Sequence, residues 1–90
     1  MKMFLISDNV DTKTGMRLAG IAGVVVHGRD EVISALKKAL ENKDIGIILI
    51  TEKLAELIPD EITGIKLTYG TPLLVEIPDR HGPKKSIDAI

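Results

Sequence analysis

Cysteine and tryptophan are absent from this 90-residue chain, and Phe4 and Tyr69 are its only aromatic residues. Without thiols there is no disulfide, no thiolate metal site and no cysteine nucleophile, a usage that fits a cytosolic protein. With only two aromatics the core must be chiefly aliphatic. An excess of one charge is missing too: 12 Lys and Arg stand against 13 Asp and Glu, a net charge of −1. These charges are mixed along the chain, so no electrostatic footprint exists for a phosphate backbone or an anionic membrane surface. Nucleic acid is thereby excluded as an expected partner. Long hydrophobic runs are also lacking. Nothing approaches the roughly 18 apolar residues of a membrane span. Met3–Ile6, the apolar stretch before Ser7, is too short for a signal-peptide core. Direct membrane insertion is not expected, and any membrane association runs through partners.

What is present is the composition of a packed globule, 44% hydrophobic and dominated by Ile, Leu, Val and Ala. Ninety residues provide for one domain, and a chain of this size buries roughly 60–65% of the surface its unfolded form exposes. Four apolar runs, Met3–Ile6, Val24–Val26, Ile45–Ile50 and Leu73–Ile77, alternate with helical or turn-rich segments. That alternation predicts an α/β class with a parallel sheet and crossover helices. The first and third runs are apolar throughout except at Gly46, as in central strands covered on both faces, whereas Glu76 suits the fourth to an edge. Right-handed crossovers then favour the strand order 2-1-3-4.

Between the first two runs the pattern predicts a short helix with Asp11 as its cap, while Asp8 or Asn9 shapes the preceding turn. Asp30 is positioned to cap the second helix, along which Val32, Ile33, Leu36, Ala39 and Leu40 form one stripe. Lys37 and Glu41, four apart, make a weak surface pair there. A third helix starts at Thr51, carries Leu54, Ala55, Leu57 and Ile58 inward, and is ended or kinked by Pro59. Asp60–Ile62 adds a further short turn, and Gly64–Thr71 reads as a connecting loop closed by Gly70 and Pro72. Pro78–Pro83 reads as another turn, and Lys84–Ile90 as the first turns of a helix that is marginal alone.

Candidate chemistry is sparse. Asp8, Asp11, Thr12 and Thr14 lie beyond the carboxyl end of the first strand, where α/β domains place ligand groups, but capping accounts for them without a ligand. Thr12-Lys13-Thr14-Gly15 looks like a flavodoxin phosphate loop, yet it sits several residues beyond the strand end. Neither a dinucleotide fingerprint nor a P-loop spacing occurs. A response-regulator receiver has this architecture, and Asp8 suits its acidic site. The third strand ends Leu49-Ile50-Thr51, however, where a receiver presents its phosphorylated aspartate. His27 and His81 have no second ligand at zinc-like spacing, and Ser34 and Ser86 have no evident base. No catalytic, metal-binding or cofactor-binding residue is expected. Gly15 and Gly20, read as helical, imply close approach of another backbone, the protein's own sheet being the simpler candidate and a partner the other. Arg17 reaches outward to a carboxylate on a partner or stands as a solvated side chain.

Three blocks carry a resemblance. Asp8–Ile21 contains Thr12-Lys13-Thr14-Gly15-Met16-Arg17-Leu18-Ala19-Gly20-Ile21, Gly46–Ala55 contains Ile48-Leu49-Ile50-Thr51-Glu52-Lys53, and Leu74–Pro78 follows in the same order. Together they make the chain resemble the F subunit of the V/A-type rotary ATPases from Met3 to about Pro83. The first block matches the family's acidic turn and Thr-x-Thr-Gly-x-Arg-Leu-Ala-Gly-Ile pattern position by position. The resemblance implies a small Rossmann-like three-layer domain at the base of a central stalk, cytoplasmic and peripheral to the membrane through the complex. It implies a non-catalytic rotor subunit without a cofactor that binds the coiled-coil D subunit. Through the funnel-shaped C (or d) subunit, that shaft couples ATP hydrolysis or synthesis to ion transport. Many relatives continue after a Gly-Pro turn into a long C-terminal helix. The expected organisation here is a globular domain over residues 1–83 and a short tail or shortened helix over 84–90. Arg17, Leu18 and Ile21 near the end of the first helix, with Arg80, Lys84 and Ile87 after Pro78, are the candidate partner-binding residues. Self-association through an exposed strand edge is a further expectation for the isolated chain. The alternative function is a degenerate receiver-like or flavodoxin-like ligand-binding module.

Overall fold

The computed structural model describes residues 2–68 and 70–78. The four apolar runs become four parallel strands, β1 (Lys2–Ser7), β2 (Ala22–Val25), β3 (Ile45–Thr51) and β4 (Leu73–Ile77), in the order β2-β1-β3-β4. Both the class and the order are those expected from the sequence. Four helices connect them: α1 (Val10–Leu18), α2 (Arg29–Glu41), α3 (Glu52–Ala55) and α4 (Pro59–Thr68). Residues 79–90 lie outside the described residues, and the expected boundary at residue 83 lies there with them.

Register assigns the strand side chains to faces, because partners in a parallel ladder point the same way. Ile6 pairs with Ile50, Phe4 with Ile48 and Ile48 with Leu74, which puts these residues on one face. Val32, Leu36 and Ala39 of α2, Leu54 and Ala55 of α3 and Ile62 of α4 close over that face as a single buried aliphatic cluster. Ile6, Ile48, Ile50, Val32 and Ile58 are fully enclosed in it. Each such side chain contributes about 1.5–3 kcal/mol relative to exposure, so this layer dominates the stability of the domain. Leu5 and Leu49 are buried on the opposite face, where α1 lies against β1 and β2. That face is less completely covered: Met3 and Leu73 are exposed on it. β3 is enclosed more fully than β1, and the expected cover of both central strands on both faces holds along β3 but reaches only the second half of β1.

Several local expectations are corrected. Asn9, and not Asp11, caps α1: its side-chain oxygen accepts the backbone N–H of Asp11 at 2.7 Å and of Thr12 at 3.2 Å. Asp11 falls in the first turn instead, where its charge complements the helix dipole. Asp30 likewise lies inside the first turn of α2, whose cap position is Gly28. Gly28 has no side chain to offer, so Glu31 reaches back and its Oε1 accepts the N–H of His27 at 2.8 Å and of Gly28 at 3.4 Å. The stripe on α2 is as expected, with Val32, Leu36 and Ala39 buried. Lys37 and Glu41 are not among the ion pairs of the described residues, which are Arg29 with Glu61 and Lys66 with Glu76.

The largest difference is α4. The sequence pattern predicts a loop over residues 64–71, but α4 continues through Thr68. Pro59 begins this helix: at the first helical position its missing N–H costs nothing, and Asp60 and Glu61 follow in the first turn. The overlooked signal is the spacing of Ile58, Ile62 and Ile65, which recur four and three residues apart and pack on the core. Gly64 masks it by suggesting a break.

Candidate functional site

In a doubly wound sheet, ligands bind beyond the carboxyl ends of the strands at the point where strand order reverses. Here that point lies between β1 and β3, and the residues there are Ser7, Asp8, Asn9 and Thr51. Several of their polar atoms bond to one another. The Thr51 hydroxyl donates to Asp8 Oδ1 at 3.1 Å across the strand ends. The Ser7 hydroxyl donates to the carbonyl of Asn9 at 3.1 Å and accepts its N–H at 2.9 Å, while the Asn9 side chain caps α1. Ser7 and Thr51 are buried, and among the described residues no buried side-chain nitrogen or oxygen lacks a partner. Thr51 thus occupies the receiver's phosphoryl-acceptor position with its hydroxyl already committed.

The histidine at position 27 is exposed and contributes its backbone N–H to Glu31. Those backbone bonds from His27 and Gly28 hold the Glu31 carboxyl below the usual carboxylate range. Among the described residues there is no group of three or more His, Cys, Asp and Glu side chains arranged for a metal ion.

The distinctive surface is α1. None of its nine residues is buried; Thr12, Lys13 and Met16 are half-covered against the sheet. Its ends are nevertheless well made. At the C-terminal end, Ile21 N–H bonds to the Met16 carbonyl and Gly20 N–H to that of Arg17, a Schellman closure. Gly20 has φ of +86°, a conformation that a side chain disfavours, and this explains its presence. It lies beyond the helix, and not inside it as the sequence suggested.

Gly15 remains helical, and an added Cβ would meet nothing within 4 Å. The expectation that the protein's own sheet packs against Gly15 is therefore overturned, although mid-helix glycine costs about 1 kcal/mol relative to alanine. The close approach that does occur is at Gly23 on β2, where a Cβ would lie 2.8 Å from both the Leu5 carbonyl oxygen and Leu5 Cβ.

Of the candidate partner-binding residues, Arg17 and Leu18 are exposed on α1, Leu18 at 87%. Ile21 is half-buried just beyond the helix. Arg17 and Ile21 meet in a cleft of about 350 Å³ between α1 and β2, which is also lined by Lys13, Gly20, Ala22 and Gly23. Arg80, Lys84 and Ile87 lie outside the described residues. Two residues that sequence reading passes over belong with this group. Lys13 stands four residues before Arg17 on the same cleft, and Val10, 62% exposed, stands eight residues before Leu18. Both spacings are helical and are present in the sequence. A second groove, of about 400 Å³ between α2 and α4, is lined chiefly by Ile33, Leu36, Leu40 and Ile65, with Lys37 and Glu61 at its margin.

The fold and this surface define a small doubly wound α/β domain whose crevice is closed by its own hydrogen bonds and whose first helix displays apolar side chains. Residues 3–90 match the family described as ATP synthase (F/14-kDa) subunit, and the chain belongs to that family. It is 36% identical over 91 residues to the F subunit of the A-type ATP synthase of Methanocaldococcus jannaschii, a match covering 100% of this chain and 87% of that protein. The corresponding protein of Thermococcus kodakarensis is 36% identical over 89 residues, covering 93% of this chain and 80% of that protein. That of Methanosphaera stadtmanae is 36% identical over 76 residues, covering 83% and 71%. The resemblance noted from the three sequence blocks is thereby shown. The chain is an accessory subunit of an ATP synthase and not itself the catalyst. No helix among the described residues is long and apolar enough to cross a membrane.

Proposed function

We propose that this chain is the central-stalk F subunit of a V/A-type rotary ATPase. In this reading it binds the coiled-coil D subunit to complete the shaft and, with the C (or d) subunit, couples ATP hydrolysis or synthesis to ion transport. The observation that carries the proposal is the family match across residues 3–90, beside the resemblance of the Thr12–Ile21 block. The geometry supports it: the sheet and α2 to α4 form a rigid aliphatic body, while α1 is held by caps and leaves its outer surface available to a neighbour. Its role is then mechanical, and its chemistry is that of recognition. The protein works on the cytoplasmic side, joined to the membrane through the complex.

Co-expression with the D and C subunits from the same source, followed by size-exclusion chromatography with light scattering, tests this reading. A complex containing one copy each of this chain and D is the expected result. Separate elution of this chain from both proteins overturns it.

A further inference from the structure

We draw no further inference here: the strongest candidate, the apolar half of the sheet face beside α1 on which Met3 and Leu73 are exposed, carries none, because nothing in the structure shows what covers it.

Discussion

Thr51 donates its hydroxyl to Asp8 at 3.1 Å, joining the end of β3 to the turn after β1 where the strand order reverses. Buried on one side and half-buried on the other, the pair closes the position at which related architectures bind phosphate or metal. Thr51→Val keeps the shape and removes the bond. Urea denaturation is expected to show a loss of about 0.5–1.5 kcal/mol, since Asp8 retains access to water and the buried hydroxyl disappears with its partner bond. A loss below the error of the measurement would mean that the bond contributes nothing to closing the crevice.

The two acidic or amide residues at the start of α1 are separable by mutation. Asn9→Ala removes an acceptor shared by two backbone N–H groups and is expected to cost about 1 kcal/mol. Asp11→Ala removes only a favourable charge near the dipole, about 0.3–1 kcal/mol at low salt, and that effect shrinks as salt is added. Thermal melts of both variants at two salt concentrations distinguish them.

Three glycines give three different outcomes on replacement by alanine. At Gly15 the change stabilises by about 0.4–1 kcal/mol, because the helix tolerates the methyl group and the unfolded chain loses freedom. At Gly20 it destabilises by about 1–2 kcal/mol, because φ is +86°. At Gly23 the methyl group meets the Leu5 carbonyl oxygen at 2.8 Å, and the expected cost is about 1–3 kcal/mol as β1 and β2 move apart. Equilibrium denaturation of the set checks the order.

Glu31 provides a pH dependence of defined sign. Its carboxyl is held below the usual range by the N–H groups of His27 and Gly28, so the folded state favours the ionised form. The resulting stabilisation is present at neutral pH and is lost as pH falls through the folded-state pKa. Wild type is expected to melt above Glu31→Gln at neutral pH, with the gap closing in acid. A gap independent of pH would show that the carboxylate's charge plays no part. Carbon-detected titration of the Glu31 side chain should give a midpoint below that of an unstructured glutamate.

Much of the architecture is legible in the residues. Runs such as Met3–Ile6 and Ile45–Ile50 are long enough and apolar enough to be strands enclosed by helices, and Glu76 marks an edge. The stripe of α2 is equally clear. Local starts and stops are less so. Asn9 and Asp11 are both good caps, and the choice depends on which oxygen reaches N–H groups that exist only once α1 has its axis. Pro59 reads as an ending although proline serves a helix start as well, and Gly64 conceals the continuation of α4. The candidate surface is half legible: Arg17 and Leu18 are marked as outward, but the exposure of Val10 and the place of Lys13 beside Arg17 in the cleft against β2 emerge only in the structure.

The sequence by itself determined the α/β class, the parallel order β2-β1-β3-β4 and the family, because these follow from apolar periodicity, crossover handedness and the matching Thr12–Ile21 block. Only the tertiary structure decided which side of α1 faces the sheet, that Gly15 opens to solvent, and that the Thr51 hydroxyl is committed to Asp8. The physical reason is range. Strand and helix formation depend on neighbours a few residues apart. The use of each side chain depends on residues such as Asp8 and Thr51, which lie 43 positions apart and meet only when the sheet has assembled.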